Sequence, residues 1–340
     1  MDDENIEFSI IIPTFNPDYK IVETLKSIKE RILFFEKIKR VNFEILIIND
    51  GGKKIDFQII KIIKNIKIIN LKKNRGVGYA REVGARISKF KKLFYFDSDI
   101  IIKNNTLNVL YEEFNKSKNV GSLGALQSYE NLNSEYTSKF VCAKTCYGFE
   151  NKPQIIEFSA IHSECCIIDK IFLRNIGGWK FYSKSGGEEF ELGHRILKSK
   201  KKNYLTKKTS YSTYYENILT RCNKIIYRTS NYLPIFFKRK KFESEGAFAT
   251  NTQVLSAFLT LSQITLVFFS FFFQINNIFI LILFILNLFT EFNFFKFIKK
   301  LYDMSYIPFS ILGVYLINFS IILGFFYGLL NLIKKKLIIK

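Results

Sequence analysis

The chain has 340 residues, of which 48% are hydrophobic, and a formal net charge of +21 at pH 7. That length usually holds two domains. So large a positive charge must lie beside something negative or be screened by salt, and a solvated lysine-rich surface is the alternative explanation for part of it. No zinc spacing, RNA-binding aromatic strand or basic recognition helix is present, which argues against nucleic acid as the partner. The densest basic runs, Lys198 to Lys208 and Arg228 to Lys241, precede long apolar stretches. They fit a juxtamembrane position facing anionic lipid.

The cysteines and the first residues indicate a cytosolic domain. Cys142 and Cys146 have no second cysteine pair at zinc spacing and no nearby histidine, so we interpret the five cysteines as reduced thiols. The segment from Met1 to Glu7 is acidic and lacks an apolar core. We therefore expect no cleaved signal peptide.

Strand and helix signals alternate over the first hundred residues. Four apolar runs predict buried strands, and they are Phe8 to Pro13, Phe43 to Ile48, Ile66 to Leu71 and Lys92 to Phe96. Helical spacing extends from Asp18 to about Phe35, and a second helix opens within 74–81 and runs to about Phe90. This order predicts right-handed βαβ units, and hence a doubly wound, mostly parallel sheet with flanking helices.

Polar residues follow the predicted strands at the points where they end. Thr14 and Asn16 follow the first strand, Asp50 follows the second, and Asp97 and Asp99 follow the fourth. Because ligands of such sheets bind off the carboxyl ends of the strands, these side chains are the first candidates for a binding site.

Asp97-Ser98-Asp99 places two carboxylates at the end of an apolar strand. Such hard oxygen ligands suit Mg²⁺ or Mn²⁺ and leave coordination positions for substrate phosphates. The alternative is an ordinary acidic turn before a helix capped near Asn105.

Five segments in order resemble the successive motifs of family 2 glycosyltransferases, which have the GT-A fold. They are residues 8–16, the Asn49-Asp50-Gly51 turn, residues 74–81, Asp97-Ser98-Asp99 and residues 186–192. The resemblance implies an inverting transfer of sugar from a nucleotide-sugar donor, assisted by Mg²⁺ or Mn²⁺. Asn49 departs from the family, which often has a second Asp there, so the resemblance leaves the base open.

The resemblance also implies individual roles. Pro13, Thr14 and Asn16 would line the nucleotide pocket, and Asp50 would accept a hydrogen bond from base or ribose. Arg81 would approach the nucleotide or its diphosphate. Asp97 would contact ribose or diphosphate and, with Asp99, bind the metal.

Glu188 and Glu189 stand where the family usually has Glu-Asp, whose second carboxylate is the general base. Glu189 is therefore the expected base, and Glu188 is its rival. His194 is a weaker rival, because its helical offset from Glu189 points it to another side. With Glu191, they could instead form the favourable acidic first turn of a helix.

The segment from Arg174 to Trp179 resembles the acceptor-side loop of the family. Gly178 would permit a tight turn, and Trp179 would either stack on a sugar or lipid group or belong to the core. Glu191 and Arg195 complete the predicted acceptor side. The Gln-x-x-Arg-Trp motif of polymerising members is absent from the sequence, which favours transfer of a single sugar.

These patterns divide the chain into three parts. We predict a GT-A nucleotide-sugar-binding domain over 1–210, a basic juxtamembrane region over 211–252, and a transmembrane region over 253–340. Its hydrophobic segments are about 254–273, 278–295 and 306–333. Val254 to Thr290 contains no charged residue, and as a helix it would extend about 55 Å, more than one crossing.

Charge makes the topology of this region ambiguous. The lysines at 334–336 and the catalytic domain both favour the cytoplasm, which requires an even number of crossings. Two crossings would leave Lys296, Lys299 and Lys300 on the far side, whereas three would leave the lysine tail there. Two spans with interfacial helices are the favoured arrangement of this multi-pass membrane protein.

A site beside a basic, membrane-bound region indicates an acceptor held in the membrane. A polyprenyl phosphate or a lipid-linked glycan would supply both an anion and an anchor. The alternatives are a sugar-phosphate nucleotidyltransferase, disfavoured because Pro13 to Pro17 replaces a glycine-rich basic loop, and a catalytically inactive membrane scaffold.

Overall fold

The computed structural model describes residues 5–55, 64–181, 186–240 and 250–338. The first four residues, which carry part of the signal-peptide prediction, and Lys241 lie outside these ranges. The chain divides into two compact units. The sheet unit comprises Met1–Leu132 and Lys152–Tyr214, and the helical unit comprises Asn133–Asn151 and Tyr215–Lys340.

The described residues form nine strands and eleven α-helices. The strands are β1 (Ile6–Thr14), β2 (Val41–Asn49), β3 (Ile66–Asn70), β4 (Lys92–Phe96), β5 (Ile100–Ile102), β6 (Val120–Asn131), β7 (Ile155–Phe158), β8 (Cys165–Asp169) and β9 (Lys202–Thr213). The helices of the sheet unit are α1 (Lys20–Glu36), α2 (Val77–Ile87), α3 (Thr106–Asn115), α5 (Lys170–Asn175) and α6 (Glu188–Lys198). Those of the helical unit are α4 (Tyr136–Tyr147), α7 (Ile218–Arg239), α8 (Asn251–Ser270), α9 (Asn277–Thr290), α10 (Phe292–Leu301) and α11 (Ile307–Ile338), with a 3₁₀ turn at Met304–Tyr306.

The strands form one mixed sheet in the order β3-β2-β1-β4-β8-β6-β9-β5, and β7 pairs with β9. Its first half is the predicted parallel sheet, since β1 pairs in parallel with β2 and β4, and β2 with β3. The second half contains antiparallel pairs, because β8 runs opposite to both β4 and β6. The GT-A-like α/β fold expected from the sequence is therefore confirmed, with a sheet that becomes mixed beyond β4.

Alternating strand residues build a core on each face of the sheet. Ile10 and Ile12 of β1 face a cluster that includes residues of α1 and α3. Ile11, between them, belongs to a second cluster that includes residues of α2, α5 and α6. This two-residue period buries both faces, which is why the strands are nearly continuous apolar runs.

Among the described residues of the helical unit, two helices, α8 and α11, are long and apolar enough to cross a membrane. The number rises to three if α9 and α10, which meet at a 56° bend, are counted together as one span. A buried polar cluster joins α8, α9 and α11. Asn318 Nδ2 donates to Ser256 Oγ at 2.8 Å and Thr260 Oγ1 at 2.9 Å, and Asn287 Nδ2 donates to Thr260 Oγ1 at 2.8 Å. These hydrogen bonds fix how the three apolar helices pack.

Candidate active site

One edge of the sheet collects most of the predicted site residues. The carboxyl ends of β1, β2 and β4 lie together because these strands are parallel neighbours. Strand β8 runs the opposite way, so its first residue, Cys165, pairs with Phe96 at the end of β4. We call this the site edge, and it brings the residues after Phe96 next to those before Cys165.

Asp50 holds the loop that leads into α2. Its buried carboxylate accepts hydrogen bonds from the backbone N–H of Gly76 at 2.8 Å and of Arg75 at 3.1 and 3.2 Å. Burial raises the pKa of Asp50, although these amides and the Arg75 charge oppose the increase. The carboxylate thus fixes the start of α2 at the site edge.

Arg81 is the buried cation of the site. Its side chain is almost fully buried and donates from Nη2 to Asp97 Oδ1 at 2.9 Å. Burial alone would lower the pKa of Arg81, but the charges of Asp97, Glu189 and Glu188 raise it above its ordinary value. The family resemblance implies that Arg81 would approach the nucleotide or its diphosphate, and this stays a prediction. The structure pairs Arg81 with the first Asp of the triplet.

Asp97 is less easily ionised than an ordinary aspartate. Burial raises its pKa, Arg81 opposes that effect, and the nearby carboxylates of Glu164 and Glu189 add to it. Its backbone N–H donates to Glu164 O at 3.0 Å, across the β4–β8 pair.

The two candidate bases occupy different environments. Glu188 is 4% exposed and accepts from the backbone N–H of Gly186 at 3.0 Å, so it braces the turn before α6. Glu189 is half-buried, and its Oε1 accepts a short hydrogen bond from Ser163 Oγ. A base must reach a substrate hydroxyl, and the geometry therefore favours Glu189 over Glu188.

The residues expected around the nucleotide lie at the end of β1 or just beyond it. Pro13 and Thr14 are buried, and Thr14 Oγ1 has no hydrogen-bond partner among the described residues. Asn16 is exposed, with a φ of 49°, and its Oδ1 accepts from Lys53 N at 3.0 Å. This contact joins the loops that follow β1 and β2.

The comparisons with known proteins agree with this arrangement. Residues 9–174, which include the site edge and the Asp97-Ser98-Asp99 triplet, match the family described as glycosyl transferase family 2. The chain carries a family 2 glycosyltransferase domain. The matched segment ends before Glu188 and Glu189, so their roles depend on the geometry above.

Curated relatives of this domain include teichoic acid proteins. Minor teichoic acid biosynthesis protein GgaB of Bacillus subtilis (strain 168) is 25% identical over 222 residues, which are 61% of this chain and 23% of GgaB. Poly(ribitol-phosphate) beta-N-acetylglucosaminyltransferase TarP of Staphylococcus aureus (strain N315) is 31% identical over 125 residues, which are 34% of this chain and 36% of TarP. The matches therefore span well under half the length of either relative.

A solved structure shares the fold over most of the chain. Mannosyltransferase PcManGT from Pyrobaculum calidifontis, in complex with GDP-Man and Mn²⁺, covers 94% of this chain and 87% of its own, with a TM-score of 0.54 and 12% identity. This likeness shows the fold alone.

The residues of the family 2 domain could supply some of the ligands of a divalent cation, with a substrate supplying the others. No group of three His, Cys, Asp or Glu side chains suited to a metal occurs in the part of the chain that the structure describes. Protein sites for Mg²⁺ often supply only one or two carboxylates and take the remaining ligands from phosphates and water. Asp99 is half-buried at the site edge. The three carboxylates of Asp97, Glu188 and Glu189 surround a single positive charge, the Arg81 guanidinium. The carboxylate oxygens of Asp97 and Asp99 are of the type that Mg²⁺ and Mn²⁺ prefer, so these two residues would hold the cation together with substrate phosphates and water.

The predicted acceptor-side residues form a brace around a glycine turn. Arg195 pairs with Glu191 at 2.6 Å and donates to the carbonyl oxygens of Ile176 at 2.5 Å and Gly178 at 2.7 Å. Trp179 is 2% exposed. Its ring packs edge-to-face on Tyr95 at 5.4 Å and lies 5.2 Å from the Arg81 guanidinium. This placement corresponds to the core alternative for Trp179, because a buried ring has no free face for a sugar.

Sequence analysis missed the segment His162-Ser163-Glu164. Its side chains bond to Tyr211, Glu189 and Gln127, respectively. The available signal was a polar run directly before the apolar run of β8. Without the direction of β8, nothing in the sequence placed that run at the site edge.

Proposed function

We propose that the chain is an inverting glycosyltransferase that depends on a divalent cation and moves one sugar from a nucleotide-sugar donor to a membrane-associated acceptor. The observation that carries this proposal is the convergence around Arg81 of carboxylates from separate segments. Asp97 follows β4, whereas Glu188 and Glu189 begin α6, and all three act on the same guanidinium. Acidic groups gathered at the carboxyl edge of an α/β sheet are suited to metal-assisted group transfer.

In this proposal Glu189 is the general base. It takes the proton from the acceptor hydroxyl while that oxygen forms a bond to the anomeric carbon of the donor sugar. The bond between this carbon and the departing nucleoside diphosphate breaks on the opposite face, so the configuration is inverted. Ser163, which donates to Glu189, holds the carboxylate in one orientation. A cation bound at Asp99 would neutralise charge on the diphosphate.

The acceptor is proposed to be a lipid-linked molecule of cell-envelope or surface glycan synthesis, either a polyprenyl phosphate or a lipid-bound glycan. The teichoic acid and poly(ribitol-phosphate) activities named for GgaB and TarP support this class of pathway. The apolar helices and the surplus of lysine support an acceptor at an anionic membrane surface.

The α8–α9 hairpin is the proposed membrane anchor. Helix α8, at 20 residues, is about 30 Å long, the thickness of the hydrocarbon core. Large apolar side chains near its tip are exposed, with Phe271, Phe272 and Phe273 at 80, 68 and 62%. The polar residues Gln274, Asn276 and Asn277 at the tip favour a complete crossing, since the far headgroups can hydrate them.

Helix α11 is proposed to lie at the membrane surface instead of crossing. Gly313 packs against Phe140 of α4, and a Cβ at Gly324 would lie 2.6 Å from the carbonyl oxygen of Ile226 in α7. Helix α7 carries five basic residues, a poor neighbour for a span in lipid. Both α4 and α7 begin five residues after the end of a strand, which supports a position on the same, proposed cytoplasmic, side of the membrane as the strands.

This topology removes the charge conflict found in the sequence. Helix α9 returns towards the cytoplasm. The start of α10 is then held to α4 by the ion pair of Lys144 with Glu291, the residue before α10, at 2.6 Å. Its end is held by the ion pair of Lys300 with Glu150, which follows α4, at 2.9 Å. The lysines of α10 and the lysine tail are then both cytoplasmic.

Labelling with an impermeant maleimide in sealed vesicles tests this topology. The labelled chains carry Cys222→Ser together with Asn276→Cys, Lys299→Cys or Lys334→Cys. We expect Lys299→Cys and Lys334→Cys to react from the cytoplasmic face, and Asn276→Cys from the other. Reaction of Lys334→Cys from the far face would reject the proposed topology.

The activity is tested by incubating membranes with a panel of radiolabelled nucleotide sugars and separating lipid from aqueous products. We expect label in the lipid fraction, lost on chelation of divalent cations and restored by Mg²⁺ or Mn²⁺. Asp99→Ala and Glu189→Gln should each abolish transfer, whereas Glu157→Gln, which alters an exposed ion pair on β7, should not. Full activity in both site variants would reject the site. Equal labelling of soluble acceptors would reject the lipid acceptor.

A further inference from the structure

A hydrogen-bonded network outside the residues assigned above reaches the site edge. Tyr211 Oη donates to Glu164 Oε2 at 2.6 Å, and Gln127 Nε2 donates to the same oxygen at 2.7 Å. Tyr211 Oη also bonds His162 Nε2 at 2.8 Å. Since the phenol proton goes to Glu164, the imidazole is the donor in that bond. The network joins β6, the segment before β8, and β9.

This network lies next to the proposed reacting groups. Glu164 O accepts a hydrogen bond from the backbone N–H of Asp97 at 3.0 Å. The preceding residue, Ser163, donates to Glu189. Tyr211 is fully buried, whereas Glu164 and Gln127 are half-buried. The network therefore has a rigid interior end and an accessible end beside Asp97.

We propose that Glu164 belongs to a subsite that binds hydroxyl groups of the transferred sugar. The inference rests on the proposed glycosyltransferase function. An ionised carboxylate only accepts hydrogen bonds, so it complements hydroxyl groups and repels phosphate. With Asp97 and Glu189 close by, the neutral sugar fits this end of the site, and the diphosphate belongs with the cation at Asp99.

The network is more elaborate than the sheet requires. Backbone pairing already joins β6 to β8 and to β9. A partly buried carboxylate held by two donors is costly to desolvate and adds little to stability by comparison with an apolar residue. What it provides is a fixed orientation, which is what a sugar-binding group needs for specificity.

The test separates the sugar from the nucleotide. The full-length protein in detergent with Mn²⁺ is titrated with UDP-N-acetylglucosamine and GDP-mannose, and with UDP and GDP alone, by calorimetry. For the pair that the unaltered protein binds, we expect Glu164→Gln to lower affinity for the nucleotide sugar at least tenfold and to leave affinity for the nucleoside diphosphate within twofold. Tyr211→Phe, which removes one donor to Glu164 and keeps the ring, should give a smaller loss of the same kind. Glu157→Gln serves as the control.

Unchanged nucleotide-sugar affinity in Glu164→Gln would overturn the subsite, as would an equal loss for sugar and diphosphate. If Glu164→Gln fails to fold, Tyr211→Phe decides by the same comparison. A protein that transfers sugar normally when Glu164 is replaced would reject this inference alone. An unaltered protein that neither binds nor transfers any nucleotide sugar would reject it together with the proposed function.

Discussion

Replacing Arg81 with methionine should expose how much the site depends on its buried cation. Methionine fills much of the same volume but leaves Asp97, Glu188 and Glu189 without the guanidinium that interacts with all three. Arg81 also packs 5.2 Å from the Trp179 ring, so a cation–π contact is lost as well.

The expected cost follows from burial. Breaking a buried ion pair by removing one partner costs about 3–5 kcal/mol, because the remaining charge is uncompensated. The Asp97 side chain is 27% exposed, so solvent and protonation recover part of this. We therefore expect a loss of about 2–3 kcal/mol in the free energy of unfolding. With a urea m-value of about 2 kcal/mol/M, the midpoint should fall by about 1–1.5 M.

The chain contains a single tryptophan, which makes the assay selective. Trp179 lies in the core of the sheet unit beside Arg81, so its fluorescence during urea unfolding reports on this unit. The control is Arg86→Ala, on the same helix. Arg86 also pairs with a carboxylate, Glu82, but its side chain is 76% exposed, so no measurable shift is expected. A midpoint for Arg81→Met within about 0.3 M of the unaltered protein would refute the electrostatic account.

Three further predictions concern other parts of the chain. In urea unfolding, Gly178→Ala should destabilise the sheet unit by at least about 1 kcal/mol more than Gly177→Ala. Both glycines have positive φ, so both substitutions strain the backbone. Only at Gly178 would the new Cβ displace the Glu82 carboxylate, which accepts a hydrogen bond from Trp179 N. Asp50→Asn should lower UDP or GDP affinity at least tenfold by calorimetry, since one acceptor oxygen facing the Arg75–Gly76 amides becomes a donor; unaltered affinity would contradict this role. Asn318→Leu should weaken helix packing by about 1 kcal/mol in unfolding by sodium dodecyl sulfate, and no change would mean that the polar cluster is neutral.

The parallel half of the fold could be predicted because its signals are local. Strand β4 coincides with the predicted run from Lys92 to Phe96, and α1 lies within two residues of the predicted helix. In each βαβ unit the apolar run, the turn residues and the helical stripe point to the same structure. The Asp residues after β2 and β4 follow from these elements, because parallel strands end at one edge.

The second half could not be predicted for a reason of topology. Four of the five residues of β8 are apolar, and their pattern reads the same in either strand direction. Sequence alone therefore does not reveal that β8 pairs antiparallel with β4. That pairing brings Ser163 and Glu164 to Asp97. The burial of Trp179 likewise depends on contacts with Tyr95 and Arg81, which come from distant elements.

There is a physical reason for a site to contain both a permanent cation, Arg81, and a cation that binds reversibly. A sheet edge that gathers carboxylates for a removable metal ion would be unstable whenever the ion left, unless a permanent charge offset part of the repulsion. Arg81 supplies that charge at every accessible pH, since its neighbours raise its pKa above an already high value. In the proposed function, this pairing with Asp97 leaves the half-buried Asp99 as the carboxylate that would hold the cation. We therefore expect Asp97→Asn to cost more stability than Asp99→Asn, and Asp99→Asn to cost more activity.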